Sequence, residues 1–191
     1  AEDRGIPAGL GALLALVPNP ENRVNNNRFF DQYTESSAIF GQATWNVNDQ
    51  LALILGMRYS EEEKTADAKL SFSSAFAQQF FNTILNESPY DEQLSRKETD
   101  FSPKVSMRYE WSDEVTFYAT YARAFKAGGF NEQAVDDTNL EFEPEEAETY
   151  EAGVKTRFLG GAATLNVGLF YTSFDNLQIS LYNGTNFEVG N

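Results

Sequence analysis

Three groups of residues in this chain have types and spacing that could do chemistry. The first is a set of full charges on alternating positions. Arg58 sits in "LALILGMRYS", Lys104 and Arg108 in "FSPKVSMRYEW", and Glu151, Lys155 and Arg157 in "TYEAGVKTRF". Charges on one face can pair across neighbouring strands, Glu151 with Arg108 or Lys104 for example. The second group is "YATYARAFKAGGFN", where Arg123 and Lys126 precede the pair Gly128-Gly129. The third is the acidic run "DDTNLEFEPEEAE", residues 136–148. Hard cations want clustered carboxylates. This run lacks the glycine and spacing of an EF-hand loop, so a solvated acidic surface is expected and no metal site.

Composition removes whole classes of function. The 191 residues contain no His and no Cys. Ser-His-Asp and Cys-His catalysis, disulfides and most transition-metal sites are therefore excluded. Glu145 and Glu148 are the kind of carboxylate pair that glycoside hydrolysis uses. No G-x-S-x-G nucleophile motif occurs, and no enzymatic activity or cofactor is expected. A net charge of −15 argues against nucleic acid, because nothing here would neutralise phosphates. The mean hydropathy of −0.46 resembles that of a soluble protein. A transmembrane barrel also scores low, since half of its strand residues face a polar lumen.

The elements that position these residues follow from period-two alternation. Leu51, Leu53, Leu55, Met57 and Tyr59 share one face, with Ala52, Ile54, Gly56, Arg58 and Ser60 on the other. The same pattern runs through residues 101–111, 150–158 and 164–172. Alternation this long predicts strands, longer than the usual 5–6 residues or so. Six are expected, in three hairpins: 34–47, 50–62, 99–111, 114–126, 147–158 and 163–181. "NVNDQ", "WSDEV" and "FLGGAA" are short turns, the last with a Gly pair suited to a primed hairpin turn. Long links separate the hairpins. Residues 1–32 and 63–98 read as loop regions, the second carrying a short helix in "SSAFAQQFFNTIL" capped by Ser73 or Ser74. Within the first region, "GLGALLALV" at 9–17 reads as a short helix rather than a signal-peptide core.

Short turns at one end and long loops at the other are the pattern of an outer-membrane barrel. Trp45, Trp111 and Phe158 all lie beside short turns, where they would form an aromatic girdle. The fold class is thus all-β: antiparallel up-and-down strands forming part of a transmembrane β-barrel. A soluble β-sandwich or lipocalin-like binder is the alternative.

Several stretches carry a resemblance. Phe40-Gly41, the "GMRY" of 56–59, "SPKV" at 102–105, "YARAFKAGGFN" at 121–131 and "PEEAETYEAGVK" at 144–155 follow in an order and spacing similar to the barrel of TonB-dependent outer-membrane receptors. Ala124 departs from the glycine usual in that family. The resemblance covers residues 33–182 and implies energy-coupled uptake of a scarce ligand across the outer membrane of a Gram-negative bacterium. A ferric siderophore is the expected substrate, with a corrinoid, oligosaccharide or oligopeptide as alternatives. It further implies a plug domain, TonB, membrane lipid and lipopolysaccharide as partners; the acidic run of 136–148 reads as a solvated surface or one bridged to lipopolysaccharide by divalent ions. In such a receptor Arg58, Lys104, Arg108, Glu151 and Lys155 would form a charge network on the lumen side. Arg28, Phe29, Phe30, Arg96, Lys126, Phe130 and Asn131 would be the ligand-contacting set. Arg123 would meet lipid phosphate. Family barrels have about 22 strands, so six would be part of one.

Overall fold

The computed structural model describes residues 24–182 and 186–191. The reading of residues 9–17 and most of the 1–32 region lie outside these. Strands β1 (Asn26–Asn46), β2 (Leu51–Phe72), β3 (Tyr90–Ser112), β4 (Val115–Lys126), β7 (Glu145–Phe158) and β8 (Ala163–Asp175) form one antiparallel sheet in the order β1-β2-β3-β4-β7-β8. Two small hairpins pair β5 (Gly129–Phe130) with β6 (Glu141–Phe142), and β9 (Ile179–Tyr182) with β10 (Phe187–Gly190). Helix α1 (Ala75–Leu85) links β2 to β3. Among the described residues the sheet is open: β1 and β8 each pair on one side only.

Register puts the alternating residues in rows. Leu53, Met107, Ala119, Ala152 and Leu169 fall on one face, and Gly56, Lys104, Ala122 and Thr149 on the other. The apolar face is uncovered. Met57, Leu169 and Tyr171 are all more than half exposed, as are Trp45 and Trp111. Among the described residues nothing covers this face in the turn half, where the ladder hydrogen bonds join the strands.

The short turns are chemically explicit. Asn48 Oδ1 accepts from the N–H groups of Gln50 and Leu51 at 2.9 and 2.8 Å, closing the β1–β2 turn. Between β7 and β8, Leu159, Gly160 and Gly161 all take positive φ. The glycines do so without a Cβ penalty. A bulge between Glu110 and Ser112 leaves Trp111 out of register, its ring edge-on to Tyr109.

The strands depart from the expected spans at the loop end. β1 starts at Asn26 rather than 34, β2 runs to Phe72 rather than 62, and β3 begins at Tyr90 rather than 99. Much of 63–98 is therefore strand, and the loop proper is 73–89. The reason lies in a change of phase. From Leu55 to Tyr59 the apolar residues are odd-numbered; from Ala66 to Phe72 they are even-numbered and lie on the other face. There Ala68, Leu70, Tyr90, Ala134 and Leu140 form a small core, with Phe30, Phe72 and Leu94 packed against it. The β4–β7 connection folds back over the polar face to supply Ala134 and Leu140. At the far end, β8 stops at Asp175 instead of continuing to 181. Asn176 has φ 51°, and β9 pairs with β10 instead of with the wall.

Helix α1 is capped by Ser74, whose Oγ accepts from Ala77 N–H at 3.1 Å, and closed by Asn86 in the left-handed region. Phe81 stacks on Phe72 with ring centroids 5.4 Å apart, so the helix docks on the end of β2.

Candidate functional site

The polar face and the loop segment covering it are where chemistry can occur. Their geometry starts from Pro103. On the β2 side of β3 the ladder passes through Met57↔Pro103 without a break. On the β4 side it stops at Lys104↔Ala122. Proline has no N–H to donate, so a ladder that must cross it ends there. Beyond this point β4 stays with β7 while β3 stays with β2.

Arg123 fills the resulting gap. Its Nη1 donates to Phe101 O at 3.1 Å, and its Nη2 lies 2.6 Å from Glu146 Oε1 and 3.7 Å from Asp100 Oδ1. The cation expected to meet lipid phosphate is instead held by two carboxylates of its own chain. Its bond to Phe101 O joins β4 to β3 beyond the point where their ladder ends.

The returning β4–β7 segment is pinned at several points. Lys64 Nζ donates to Gly128 O at 2.6 Å, and Gly128 N–H donates to Glu98 Oε2 at 2.9 Å. A Cβ on Gly128 would come within 2.4 Å of Phe142 O, so only glycine fits. Arg96 donates to Glu98, Glu141 and Glu143 at 2.9–3.0 Å, tying β3 to β6 and the residue beyond it. Burial alone would lower its pKa, but the hydrogen bonds to Glu143 and Glu98 outweigh this and raise it. Asn131 is buried; its Nδ2 donates to Asn139 O and Val189 O, and its Oδ1 accepts from Val189 N–H at 2.8 Å. The β5 and β10 hairpins are thereby joined by one side chain.

These contacts redistribute the residues expected to meet a ligand. Arg96 and Asn131 are already committed to holding the loops. Arg28 donates to Ala134 O and lies 3.7 Å from buried Glu87, which also accepts from Asn26 at 2.8 Å. Phe30 packs on the small core, whereas Phe29 is on the opposite face and exposed. Phe130 is buried. Lys126 of this set lines a cavity. That cavity, about 410 Å³, lies on the polar face under residues 127–128 and is lined by Arg58, Ser60, Glu62, Lys64, Glu98 and Lys126, among others.

The charge network also differs from expectation. Glu151 accepts from Tyr118 Oη at 2.6 Å instead of pairing with Arg108 or Lys104, and Arg108 meets Glu110 of its own strand at 3.3 Å. Tyr118 lies across β7 and β8: a Cβ on Gly153 would meet its ring at 2.6 Å, and one on Gly168 its hydroxyl at 3.0 Å. Lys155 Nζ sits 5.4 Å from the same ring. Two glycines opposite each other let one aromatic ring lie flat on the wall. The sequence marks the glycines without revealing which ring covers them. Trp45, Trp111 and Phe158 are exposed at the turn end of the sheet.

Comparisons with known proteins agree with this architecture. The ferric-pyoverdine BN7/BN8 receptor of Pseudomonas putida is 26% identical over 175 residues, covering 90% of this chain and 18% of that protein. The ferric yersiniabactin uptake receptor FyuA from Yersinia pestis superposes with a TM-score of 0.65 at 20% identity, over 81% of this chain and 22% of that one. The siderophore receptor PiuA from Acinetobacter baumannii gives 0.57 at 18% identity, over 85% and 21%. The chain thus spans about a fifth of the length of each of these relatives. A family model described as TonB dependent receptor-like, beta-barrel matches residues 10–191. By that match, and by six antiparallel strands with an apolar face left bare, the chain belongs to the β-barrel family of TonB-dependent receptors.

Proposed function

We propose that this chain is a stretch of barrel wall in an outer-membrane receptor that imports a ferric siderophore by TonB-coupled transport. The observation that carries the reading is the uncovered apolar face of a six-stranded sheet whose opposite face bears Arg58, Lys104, Glu151 and Lys155. In water that face would drive aggregation; in lipid it is at home. The polar face then looks into the lumen, towards the plug. The pinned segment 127–144 belongs to the extracellular side, along with α1. Lipopolysaccharide surrounds the outer rim, and Trp45, Trp111 and Phe158 mark the periplasmic boundary. Siderophore is the preferred cargo because relatives from separate genera are named for it.

The test is a deletion of the complete receptor gene, followed by growth under iron limitation on a panel of ferric siderophores. Loss of growth on one of them, restored by the gene, is expected. Unchanged growth on every siderophore, with a defect on a corrinoid or oligosaccharide instead, would replace the cargo and keep the mechanism. Recovery of the receptor in the soluble fraction would overturn the membrane placement.

A further inference from the structure

The wall is interrupted between β3 and β4. Their ladder ends at Lys104↔Ala122, and contact resumes where Gly128 N–H donates to Glu98 Oε2 at 2.9 Å. Between these points lie residues 98–104 and 122–128, segments of equal length that face each other without a ladder. Among the described hydrogen bonds and ion pairs, those of Arg123 alone cross this seam, to Phe101 O at 3.1 Å and to Asp100 Oδ1 at 3.7 Å. Pro103 has no N–H with which to close it. Arg123 has another anchor on its own side of the seam, Glu146 at 2.6 Å, so it can release β3 and keep a carboxylate partner.

The seam has a different environment on each side. On the apolar face, directly below the last ladder pair, lies an open groove of about 670 Å³. Ala119 and Ala152 form its floor, facing each other across the β4–β7 ladder, with Met107 and Leu169 beside them in the same row. Val105 and Tyr121 stand at the end nearest the seam. Tyr121 is held there by the Tyr150 ring, centroids 5.1 Å apart, and by Glu148, which accepts from its hydroxyl at 3.0 Å. On the polar face, the cavity of about 410 Å³ is lined by Glu98, Phe125 and Lys126, all residues of the seam edges. Phe125 alternates with Tyr121 and Arg123, on the side of the apolar groove, and still lines this cavity. Apolar groove, seam and polar cavity thus follow one another through the wall.

We propose that this seam is a lateral port for a hydrocarbon tail, and that the cargo is an amphiphile, an iron chelate bearing an acyl chain. The polar head occupies the cavity. The tail crosses between β3 and β4 and lies in the groove over Ala119 and Ala152. The proposal rests on the reading that the apolar face meets lipid and the polar face lines the lumen, and it adds the class of the cargo and its route. The physical reason is the cost of wetting a tail. Each methylene drawn from lipid into a watery lumen weakens binding by about four-fold. A long chain therefore opposes the entry of its own head. A port at the end of the ladder lets the head move inward while the tail stays in apolar surroundings. Arg123 is the latch: released from Phe101 O, it rests on Glu146 and clears the seam.

The experiment uses the complete receptor carrying this chain, in lipid nanodiscs. Ser102 and Ala124 stand where the β3–β4 ladder would pair them if it continued. Ser102→Cys combined with Ala124→Cys therefore places a disulfide across the seam, which reductant reopens. The probes are ferric complexes of hydroxamate, catecholate and citrate heads, each with and without a dodecanoyl chain. Binding of radiolabelled iron is read against empty nanodiscs. For at least one head, the acylated form should bind the parent receptor about ten-fold or more tightly than the acyl-free form. The disulfide should abolish that advantage, and reductant should restore it. Ala152→Phe fills the groove without touching the seam and should weaken the acylated probe too; if the disulfide fails to form, this variant decides alone. Leu165→Phe, on the same face outside the groove, serves as control. Equal binding of acylated and acyl-free probes overturns the port, as does the absence of binding by every acylated probe. An acyl advantage that survives the disulfide, or survives Ala152→Phe, overturns it as well. Outer-membrane location and growth on an acyl-free siderophore would persist through such a failure, so it is distinguishable from failure of the transport reading.

Discussion

The turn half and the loop half of this sheet are built for different surroundings. In the turn half, Leu55, Met57, Val105 and Leu169 are exposed, with none of the described residues covering them. In the loop half, Ala66, Ala68 and Leu70 point to the opposite face and are buried under the β4–β7 segment. Strand β2 passes through both, and its apolar residues change face between Tyr59 and Ala66. A single strand can therefore report where its solvent changes. In the turn half its apolar side is bare; in the loop half its apolar side turns to the protein that covers it.

The comparison can be broken most forcefully by truncating one leucine in each half. Leu70 is 1% exposed and Leu169 78%. Leu70→Ala should cost about 2–5 kcal/mol, because it leaves a cavity. Leu169→Ala should cost far less, since lipid can refill the space. Pulse proteolysis of the complete receptor reads the difference, with Leu70→Ala exposing the 127–144 segment first. Equal sensitivity would erase the distinction between the halves.

Placing a charge on the outer side tests the same boundary. Val167→Arg in the turn half should destabilise by about 2–4 kcal/mol if it sits near the bilayer midplane. Asp67→Arg should be neutral or stabilising by up to about 1 kcal/mol, because it removes a like-charge pair with Asp31 directly across the ladder. Heat-modifiable gel mobility in detergent measures both.

Asn131→Ala sharpens the picture within the loop half. It strands Val189 N–H and the carbonyls of Asn139 and Val189, at about 1–3 kcal/mol. Hydrogen exchange should speed up in both the β5 and β10 hairpins while the turn half stays protected. The smallest effect is in Tyr90, whose phenol pKa is raised above 10.0 by burial, partly offset by Arg28. The folded state holds this proton more tightly than the unfolded chain. Its contribution is therefore complete below pH 10 or so and is lost as pH rises through the raised value. A Tyr90→Phe variant should lose that alkaline decline, and tyrosinate absorbance should show one late-titrating group fewer.

The fold was legible where alternation matched one constant environment. Residues 51–59 and 101–111 declared their strands because one side is apolar throughout. The extensions did not. At Glu61 to Lys64 both sides are polar, and from Ala66 onward the alternation resumes in the opposite phase, so the strand looks as if it has ended. The helix cap at Ser74 was readable because capping is local. The candidate site was much less so. Arg96, Asn131 and Arg123 look like spare polar groups in sequence, and most of their partners lie 8 to 58 residues away.

Pro103 has a consequence for the shape of the whole wall. Cloth is fitted to a curve by a dart, a slit whose edges are drawn apart or together without changing the weave below. The interruption between β3 and β4 acts in that way. Below it the strands keep a common circumference, as a closed cylinder requires. Above it β1–β3 and β4–β8 are free to diverge, and Arg123 sets how wide the slit stands. The loop end can thus widen or narrow while the girth of the turn half is left alone.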